Sequence, residues 1–544
     1  MNFFYDLVGK YAAGGMGEKP IDGQTGVWVK AGAVTLSSAM KMTGAIVESA
    51  QSQYVYNSGL ASECAVNAGA VQYVSSGGEA IGCVTAGVVY VYDAAVVSSA
   101  NIVYAGSTYV SSGGLAVDTT ASGANARLYV YPRGFVSNTT VNAGRMVVYG
   151  ATSAVADSTT VTSGGYLMIY GSGAIANNVV GNSSYIYVYN SGYVNNATLN
   201  ARCAFYVSPG GMLSNYTVTG GGLFISSGGS AVDGYLSGGS VNVQSAGYAS
   251  SCLLLDATAW FNVQQNLASA DNVVQSGGGI RVGNTNSAVT AILTNASGNK
   301  LTANNANNYV YSGGTCIDVI LGSRIVWTVS NGGVISNITI TGAGGGLYVS
   351  NGGLVNSLIM HSGTAQIRSG GTAFAAVVSS GGSMIVSNGG TASDIEIYSG
   401  GGVYASSGAE VSDIWIANGA NLYVYGGVYR NIINSGGVYT VGIAAKPTYY
   451  NIEAYRPVTL LNGFADTVVM HDWSTLTIGA EGSAVNVTAT YKAHVNNSGY
   501  VSGCAIMSAG TLTVRSGASS LAVTSNAGAV ITVEDGGYIE YVTP

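Results

Sequence analysis

The sequence is poor in proline and in charged residues, and each shortage excludes a class of protein. Only 6 of its 544 residues are proline, and its 81 glycines do not recur at every third position, so a collagen-like helix is excluded. Charged residues make up 8% of the chain and hydrophobic residues 47%, the reverse of the composition of disordered chains. The composition therefore predicts a folded, β-rich and largely uncharged protein.

Basic residues and long apolar runs are also scarce. The 17 basic and 24 acidic side chains give a net charge of −7, and no run of Lys or Arg could bind a phosphate backbone, so no nucleic acid is expected as a partner. No stretch approaches eighteen uninterrupted apolar residues, so no membrane-spanning helix is expected. The first residues contain Asp6 before any basic side chain and lack a continuous apolar core, so no signal peptide is recognised there.

Residues of the types that usually act in catalysis or metal binding are few as well. The three histidines, His361, His471 and His494, lack metal-ligand spacing, and the acidic residues are scattered rather than paired. The six cysteines form no CxxC pair and fit small buried positions of a repeat. Cys64 and Cys83 would lie at a spacing that a disulfide can bridge, and that bond is left open. The sequence therefore predicts no catalytic residue, no metal site and no cofactor.

One short phrase is abundant. "YVSSGG" at 73–78 returns at 109–114, and close variants stand at 206–211 and 348–353. If its valine is taken as the reference position, equivalent residues recur at spacings of about seventeen to twenty-one, most often nineteen. The predicted reference residues are Val55, Val74, Val91, Val110, Val130, Val148, Ile169, Val188, Val207, Ile225, Val243, Val263, Val282, Val310, Val329, Val349, Ile367, Val386, Tyr404, Val424, Val495, Val514 and Val533.

This period predicts the fold. Each unit contains two short β-type runs that end on Gly, Ser or Asn, the residues preferred in tight turns. Such a unit cannot bury its own apolar face and becomes stable only by stacking on its neighbours. We therefore expect an all-β fold: a single elongated parallel β-solenoid, of the right-handed β-helix type, with about two dozen coils of about 19 residues.

Departures from the repeat predict how the chain is divided. An N-terminal cap is expected over 1–50, solenoid repeats over 51–282 and 309–440, and C-terminal coils with a cap over 476–544. Residues 283–308 stretch one spacing to twenty-eight and are expected to form an irregular insertion, and 441–475 an irregular segment. Such departures often carry a binding site, although a tolerated insertion is the simpler explanation of both.

Residues on either side of the reference position should face outward, and many of them are tyrosine. A stripe of stacked tyrosines could stabilise the sheet by cross-strand pairing, or it could form an amphipathic binding face for sugars or proteins. Eight residues after the reference position lies a column of Asn and Asp, expected to hydrogen-bond from coil to coil. The candidate binding stripe comprises Tyr54, Tyr56, Tyr73, Tyr90, Tyr92, Tyr109, Tyr129, Tyr131, Tyr187, Tyr189 and Tyr206.

The repeat resembles the strand-loop-strand repeat of AIDA-type autotransporter passengers. The resemblance covers roughly residues 50–440 and 476–540 and is clearest in "YVSSGGLAVDTTASG", "YVSNGGLVNSLIMHSG" and "IVSNGGTASDIEIYSG". It implies a bacterial β-solenoid at the cell surface or outside the cell, which promotes adhesion, self-association and biofilm formation. The partners implied are glycans and proteins of host-cell or bacterial surfaces.

The resemblance also implies modification and export. Members of the family can carry heptose on repeat serines, added by a heptosyltransferase, and they pass through an outer-membrane translocator. This sequence shows neither a signal peptide nor the roughly 250 to 300 residues of alternating strands that form a translocating barrel. We therefore expect a passenger fragment, a relative exported with help, or a solenoid with another use. The candidate acceptors are Ser75, Ser76, Ser111, Ser112, Ser226, Ser227, Ser350 and Ser387.

Three functions are compatible with this pattern. The first hypothesis is a non-enzymatic adhesin or structural rod whose Tyr, Ser, Asn and Thr faces make many weak contacts. The alternative is a carbohydrate-active β-helix, as in phage tailspikes or polysaccharide lyases. A threonine face that binds ice or mineral is a third hypothesis, and the patchiness of the Thr column disfavours it.

Overall fold

The computed structural model describes residues 28–29, 33–37, 39–256, 258–263, 265, 267–283, 291–298, 307–441 and 446–542. Within these residues every regular element is a β-strand, and strands of successive coils pair in parallel. The chain is a parallel β-solenoid of about 25 coils spaced by about 19 residues, which confirms the predicted fold class. It divides into two compact units, residues 1–262 with 266–270, and residues 263–265 with 271–544.

In the first unit each coil contributes a short strand and then one bent strand or two very short ones. The short strands are Ala33–Leu36, Ser52–Val55, Val71–Val74, Val88–Val91, Ser107–Val110, Arg127–Val130, Arg145–Tyr149, Tyr166–Tyr170, Tyr185–Tyr189, Ala204–Val207, Gly222–Ile225 and Ser240–Val243. The very short strands are Trp28–Val29, Lys41–Thr43, Ile46–Val47, Leu60–Ser62, Ala65–Val66, Glu79–Ile81, Val84–Thr85, Val96–Ser98, Asn101–Val103, Leu115–Val117 and Thr120–Ser122. The bent strands are Phe135–Asn142, Ala154–Thr162, Ala174–Gly181, Tyr193–Leu199, Met212–Val218, Ser230–Leu236 and Tyr248–Leu254. The division between the units falls within Trp260–Val263 and Ala268–Gln275.

The second unit repeats the same plan. Its short strands are Gly279–Val282, Asn307–Val310, Val326–Val329, Gly346–Val349, Thr364–Ile367, Ser383–Val386, Gly402–Ala405, Asn421–Val424, Val438–Val441, His494–Asn497, Thr511–Val514 and Val530–Val533. Its bent strands are Ala291–Gly298, Gly314–Leu321, Val334–Ile340, Leu354–Met360, Thr372–Val378, Thr391–Ile397, Glu410–Ile416, Val428–Asn434, Thr448–Ala454, Tyr500–Ile506 and Ser519–Ser525, followed by Tyr538–Tyr541. In two coils both parts join into one long strand, Val458–Met470 and Thr475–Ala489.

The short strands alternate between core and solvent. In Val71–Val74 the side chains of Gln72 and Val74 are fully buried, whereas Tyr73 points outward. Val74 pairs with Val55 on one side and with Val91 on the other, so these three reference valines form a continuous inward column. Stacking buries each of these valines completely, as a unit that cannot form its own core requires.

The turn Ser75–Gly78 explains why the repeat contains two serines and two glycines. The Gly78 N–H donates to the Ser75 carbonyl at 2.9 Å, and Ser76 and Gly77 have φ of 46° and 74°, the pattern of a type I′ turn. A Cβ on Gly77 would meet nothing within 4 Å, whereas a Cβ on Gly78 would lie 2.3 Å from the Val55 carbonyl oxygen of the preceding coil. Gly77 therefore serves the backbone conformation, and Gly78 permits the coils to stack closely.

Within a coil, the second strand is bent by a single residue in the left-handed backbone conformation. In Met212–Val218 this residue is Asn215, with φ of 52°. In an earlier coil Asp118, also at 52°, separates Leu115–Val117 from Thr120–Ser122, and both of these strands pair with Phe135–Asn142. Asn and Asp tolerate this conformation better than other residues with side chains. The Asn and Asp column therefore marks a corner of the coil.

Two predicted reference residues are wrong. In Gly402–Ala405 the inward residue paired with Val386 is Ala405, which is fully buried, and Tyr404 points outward. Tyrosine and alanine both occur in cores, so the sequence pattern does not show which of the two residues faces inward. The strand register does.

The second error falls in His494–Asn497. Val495 is buried but pairs with Leu512, and the partner of Val514 is Asn497. Tyr500 pairs with Ser519, so the turn after Asn497 is two residues shorter than the turn after Val514. The buried Asn497 compensates: its Oδ1 accepts from the Gly499 N–H, and its Nδ2 donates to the Ser519 carbonyl, both at 2.9 Å.

The segments predicted to be irregular contain paired strands where the structure describes them. In 441–475, Thr448–Ala454 pairs with the second half of Val458–Met470. In 283–308, Ala291–Gly298 pairs with Gly314–Leu321. Of the predicted cap, Ala33–Leu36 pairs with Ser52–Val55, while residues 1–27 and Lys30 lie outside the described residues. The division into caps, repeats and insertions stays a prediction.

Candidate binding surfaces

Five tyrosines on successive coils form one continuous stack, here called the tyrosine ladder. The short-strand register places Tyr54, Tyr73, Tyr90, Tyr109 and Tyr129 side by side. Their ring centroids are 4.9, 5.3, 5.1 and 4.9 Å apart, with interplanar angles of 9° to 22°. These separations follow from the distance of about 4.8 Å between neighbouring strands, so the sheet itself holds the rings in contact.

The other tyrosines of the candidate stripe lie elsewhere. Val147 and Met168 occupy the ladder position on the next two coils and interrupt it. Tyr187 and Tyr206 then start a second stack at 4.9 Å, which Phe224 continues at 5.1 Å. The remaining members stand at the first residue of a turn: Tyr56, Tyr92, Tyr131 and Tyr189.

Sequence reasoning missed several aromatic contacts. Tyr149 stacks on Tyr131 at 5.2 Å, and Tyr170 meets Tyr189 edge to face at 4.9 Å. Another pair, Tyr166 and Tyr185, stacks at 5.0 Å at the start of two short strands. These tyrosines recur at the same spacing as the predicted stripe. Applying the repeat period to the other positions of the unit could therefore have found them.

Three phenol groups of these stacks, those of Tyr73, Tyr131 and Tyr187, have a raised pKa and stay uncharged at neutral pH. Burial, and then the neighbouring phenols Tyr54, Tyr90 and Tyr92, raise the pKa of Tyr73. The same two causes raise the pKa of Tyr131 and Tyr187. A neutral hydroxyl both donates and accepts hydrogen bonds, so the stacks present a flat apolar surface edged with polar groups.

The candidate acceptor serines lie in the tight turns that follow the short strands. In the turns at 75–78, 111–114 and 226–229 the first serine is half-buried and the second is exposed. The exposed residues Ser76, Ser112 and Ser227 have φ of 46°, 49° and 53°. Ser350 and Ser387 are half-buried first residues, each followed by an exposed asparagine. The turns therefore place each exposed serine at the corner of a coil.

The predicted coil-to-coil hydrogen bonds of the Asn and Asp column are confirmed. Asn178 Nδ2 donates to Asp157 Oδ1 at 2.9 Å, and Asn196 Nδ2 donates to Asn178 Oδ1 at 2.6 Å. In the second unit, Asn451 donates to Asn431 at 3.0 Å. These hydrogen bonds pair the Asn and Asp side chains with one another and fix the corner of the coil. The main role of this column is therefore structural.

The cysteines are buried thiols. All six are free and buried, which confirms the prediction that they occupy small inward positions of the repeat. The hydrogen bond with Cys83, and then burial, raise the pKa of the Cys64 thiol. Burial raises the pKa of Cys252 and of Cys504 to about 12, so both thiols stay protonated and unreactive at neutral pH.

Among the residues that the structure describes, no three His, Cys, Asp or Glu side chains are grouped as a metal site requires. In the same residues, no helix is both long and apolar enough to cross a membrane.

Comparison with known proteins gives a limited result. No family model and no curated protein matches the chain. The chain is similar to a solved fragment of TibA described as hyper-glycosylated by TibC, at 24% identity and a TM-score of 0.30, with 70% of this chain and 100% of that chain covered. It is also similar to a mutant tailspike protein of the E. coli bacteriophage HK620 in complex with a pentasaccharide, at 12% identity and a TM-score of 0.12, covering 81% of this chain and 72% of that chain. At these TM-scores neither similarity decides the function.

Proposed function

We propose that this chain is a non-enzymatic adhesin, located at the cell surface or outside the cell. Its contacts with surface glycans, surface proteins or further copies are made by side chains repeated from coil to coil. The observation that carries the proposal is the tyrosine ladder, in which the parallel register sets five outward phenols 4.9 to 5.3 Å apart.

Repetition suits adhesion because weak contacts add when they are held together. Each stacked phenol offers an amphipathic ring that binds weakly by itself. Contacts along one rigid sheet act at a high effective concentration, so avidity can exceed single-site affinity by about 10² to 10⁴. A ladder of identical residues is therefore suited to repetitive surfaces such as glycan coats, or to a second copy of the same ladder in self-association and biofilm formation.

The serine turns support a second part of the proposal, modification by a heptosyltransferase. Ser76 and Ser112 are exposed in type I′ corners two coils apart, and the intervening coil holds Asp93 and Ala94 in the corresponding turn. Two strand spacings amount to roughly 9.6 Å, which leaves room for one sugar per acceptor. Export through an outer-membrane translocator belongs to the same proposal.

An adhesion assay with matched variants tests the first part. We expect the fivefold variant with Thr in place of Tyr54, Tyr73, Tyr90, Tyr109 and Tyr129 to keep the β-sheet circular dichroism, because Thr is a good strand former. Its binding to host cells and to surfaces coated with the protein itself should fall at least about tenfold. A control variant with Thr at Val96, Leu115, Phe135, Val155 and Ile175, an outward column on five successive coils, changes as many positions and should adhere normally.

Three results would contradict these proposals. Equal adhesion by the ladder variant and the parent would show that the ladder does not contribute to adhesion. Reproducible shortening of bacterial or plant polysaccharides would favour the carbohydrate-active alternative. Mass spectrometry of the protein from its native host, if it showed no added sugar mass on peptides containing Ser76 or Ser112, would reject heptosylation at these turns.

A further inference from the structure

Trp473 occupies a turn position that suits glycine. The turn His471–Ser474 is closed by the Ser474 N–H, which donates to the His471 carbonyl at 3.0 Å, and by the Ser474 hydroxyl, which donates to the same oxygen at 2.5 Å. The third residue, Trp473, has φ of 65°, in the left-handed region that bulky residues rarely adopt. Equivalent positions on earlier coils hold Gly400 and Gly419, at 78° and 77°.

Packing does not explain the tryptophan either. Its side chain is 68% exposed, so the indole contributes little to the core. A strained backbone conformation that carries an exposed aromatic ring costs stability and recovers little of it by burial. Residues held in this way concentrate at sites where the side chain itself is needed.

The next coil adds a cation and a second ring. Lys492 stands at the equivalent turn position, with φ of 58°, and its Nζ lies 4.2 Å from the centroid of the Trp473 ring. The same ammonium is 5.0 Å from the ring of Tyr491, which is 48% exposed. The Thr490 hydroxyl donates to Asp472 Oδ1 at 3.2 Å and so holds this carboxylate beside the turn. Asp472, Trp473, Tyr491 and Lys492 are here called the Trp473 platform.

The preceding coil extends the aromatic surface. The rings of Tyr455 and His471 are parallel, with centroids 4.0 Å apart, and Tyr455 is 46% exposed. The Nε2 atom of His471 lies 3.7 Å from Glu453 Oε2.

The charges around the platform cancel. Glu453 and Asp472 are balanced by Lys492 and the exposed Arg456, so the surface has no excess of either sign for a polyanion or a polycation.

We propose that the Trp473 platform binds an uncharged glycan built of hexopyranose units. A pyranose ring presents an apolar face of C–H bonds, which matches an exposed indole, and a rim of hydroxyls. The Asp472 carboxylate accepts from one hydroxyl, and the Lys492 ammonium donates to another. The site is separate from the tyrosine ladder and does not depend on an adhesive role, because it uses only side chains of two adjacent turns.

The test titrates the full chain with neutral tetrasaccharides. Maltotetraose, cellotetraose, chitotetraose and lacto-N-tetraose are compared with tetragalacturonate and sialyllactose by saturation-transfer difference NMR. At least one neutral probe should bind, and Trp473→Gly should weaken that binding by about tenfold or more, the loss expected for one stacked ring with its hydrogen bonds. Trp473→Tyr should retain most of the binding.

Thermal unfolding separates a functional from a structural role. Trp473→Gly should leave the melting temperature unchanged or raise it, because Gly relieves the strained conformation. The control Leu267→Gly changes another exposed bulky residue, at φ of 60° and 66% exposure, and should not alter glycan binding.

The probe titration tests the platform through Trp473→Gly, and the adhesion assay tests the ladder through the fivefold variant, so failure of the platform and failure of the adhesin proposal are distinguishable. The proposal is overturned if no neutral probe binds, if only acidic probes bind, or if Trp473→Gly binds as tightly as the parent.

Discussion

The turn Ser75–Gly78 and the turn His471–Ser474 close the solenoid in similar ways with different residues. In both, the N–H of the fourth residue donates to the carbonyl of the first, at 2.9 and 3.0 Å. The first turn places Gly77 at its third residue with φ of 74°, and the second turn places Trp473 there with φ of 65°. The backbone requirement at the third residue is thus the same, and the side chains displayed there are opposite in size.

The difference shows which turn positions the fold constrains most. A side chain at the third residue points to solvent, so a coil can hold a tryptophan there at the cost of local strain. The fourth residue contacts the preceding coil: a Cβ on Gly78 would lie 2.3 Å from the Val55 carbonyl oxygen. Solvent-facing turn positions are therefore the ones at which this repeat can change its displayed chemistry.

Gly78→Ala should give the largest effect. The new methyl group would overlap backbone atoms of the preceding coil, which can only shift by separating the two coils, so we expect a loss of about 3 kcal/mol or more. Gly77→Ala, where a Cβ would meet nothing within 4 Å, should cost only about 1 kcal/mol because of its left-handed backbone. Urea unfolding of both variants measures the difference, and equal losses would refute the distinction between the two positions.

Asn497→Leu tests whether a shortened turn needs its buried amide. Leucine would fill the inward position but would leave the Gly499 N–H and the Ser519 carbonyl without their side-chain partner, which should cost about 2 kcal/mol. Hydrogen exchange at the Gly499 amide should become faster. Val514→Leu is the matched control at the paired position of the next coil and should cost less. Unchanged exchange at Gly499 would show that the amide is dispensable.

Much of the fold was predictable because the period, the alternation within a strand and the turn residues all indicate the same structure. Tyr404 was misplaced because adjacent tyrosine and alanine leave the register ambiguous within one coil. Val495 was misplaced because a turn two residues shorter requires a polar inward residue, which a hydrophobic pattern cannot reveal. The Trp473 platform could not be predicted, since it depends on a backbone angle and on Lys492 from the next coil.

The variant Cys504→Val, measured at two pH values, tests whether the inward positions of successive coils are equivalent. Cys504 pairs with Val487 and Val523, so Cys504→Val should change stability by less than about 1.5 kcal/mol at pH 7. Burial raises the pKa of Cys504 to about 12, while the thiol of the unfolded chain titrates near 9.0. The folded form therefore keeps its proton longer, and its stabilising contribution, complete below pH 9, is lost as the pH rises towards 12. In urea titrations at pH 7 and pH 10.5, the parent should lose more stability than Cys504→Val, and equal losses would contradict the burial of this thiol.

Tyr90→Thr should have the smallest effect, and it tests whether an outward column contributes to the scaffold at all. Tyr90 stacks on Tyr73 at 5.3 Å and on Tyr109 at 5.1 Å, and two cross-strand aromatic contacts together should be worth about 1 kcal/mol. Because Thr is itself a good strand former, the loss reports the contacts rather than strand propensity. A double-mutant cycle with Tyr73→Thr isolates the pairwise term, which should be a few tenths of a kcal/mol. A coupling energy of zero would mean that the ladder is held in place entirely by the backbone register, leaving its phenols free to face a partner.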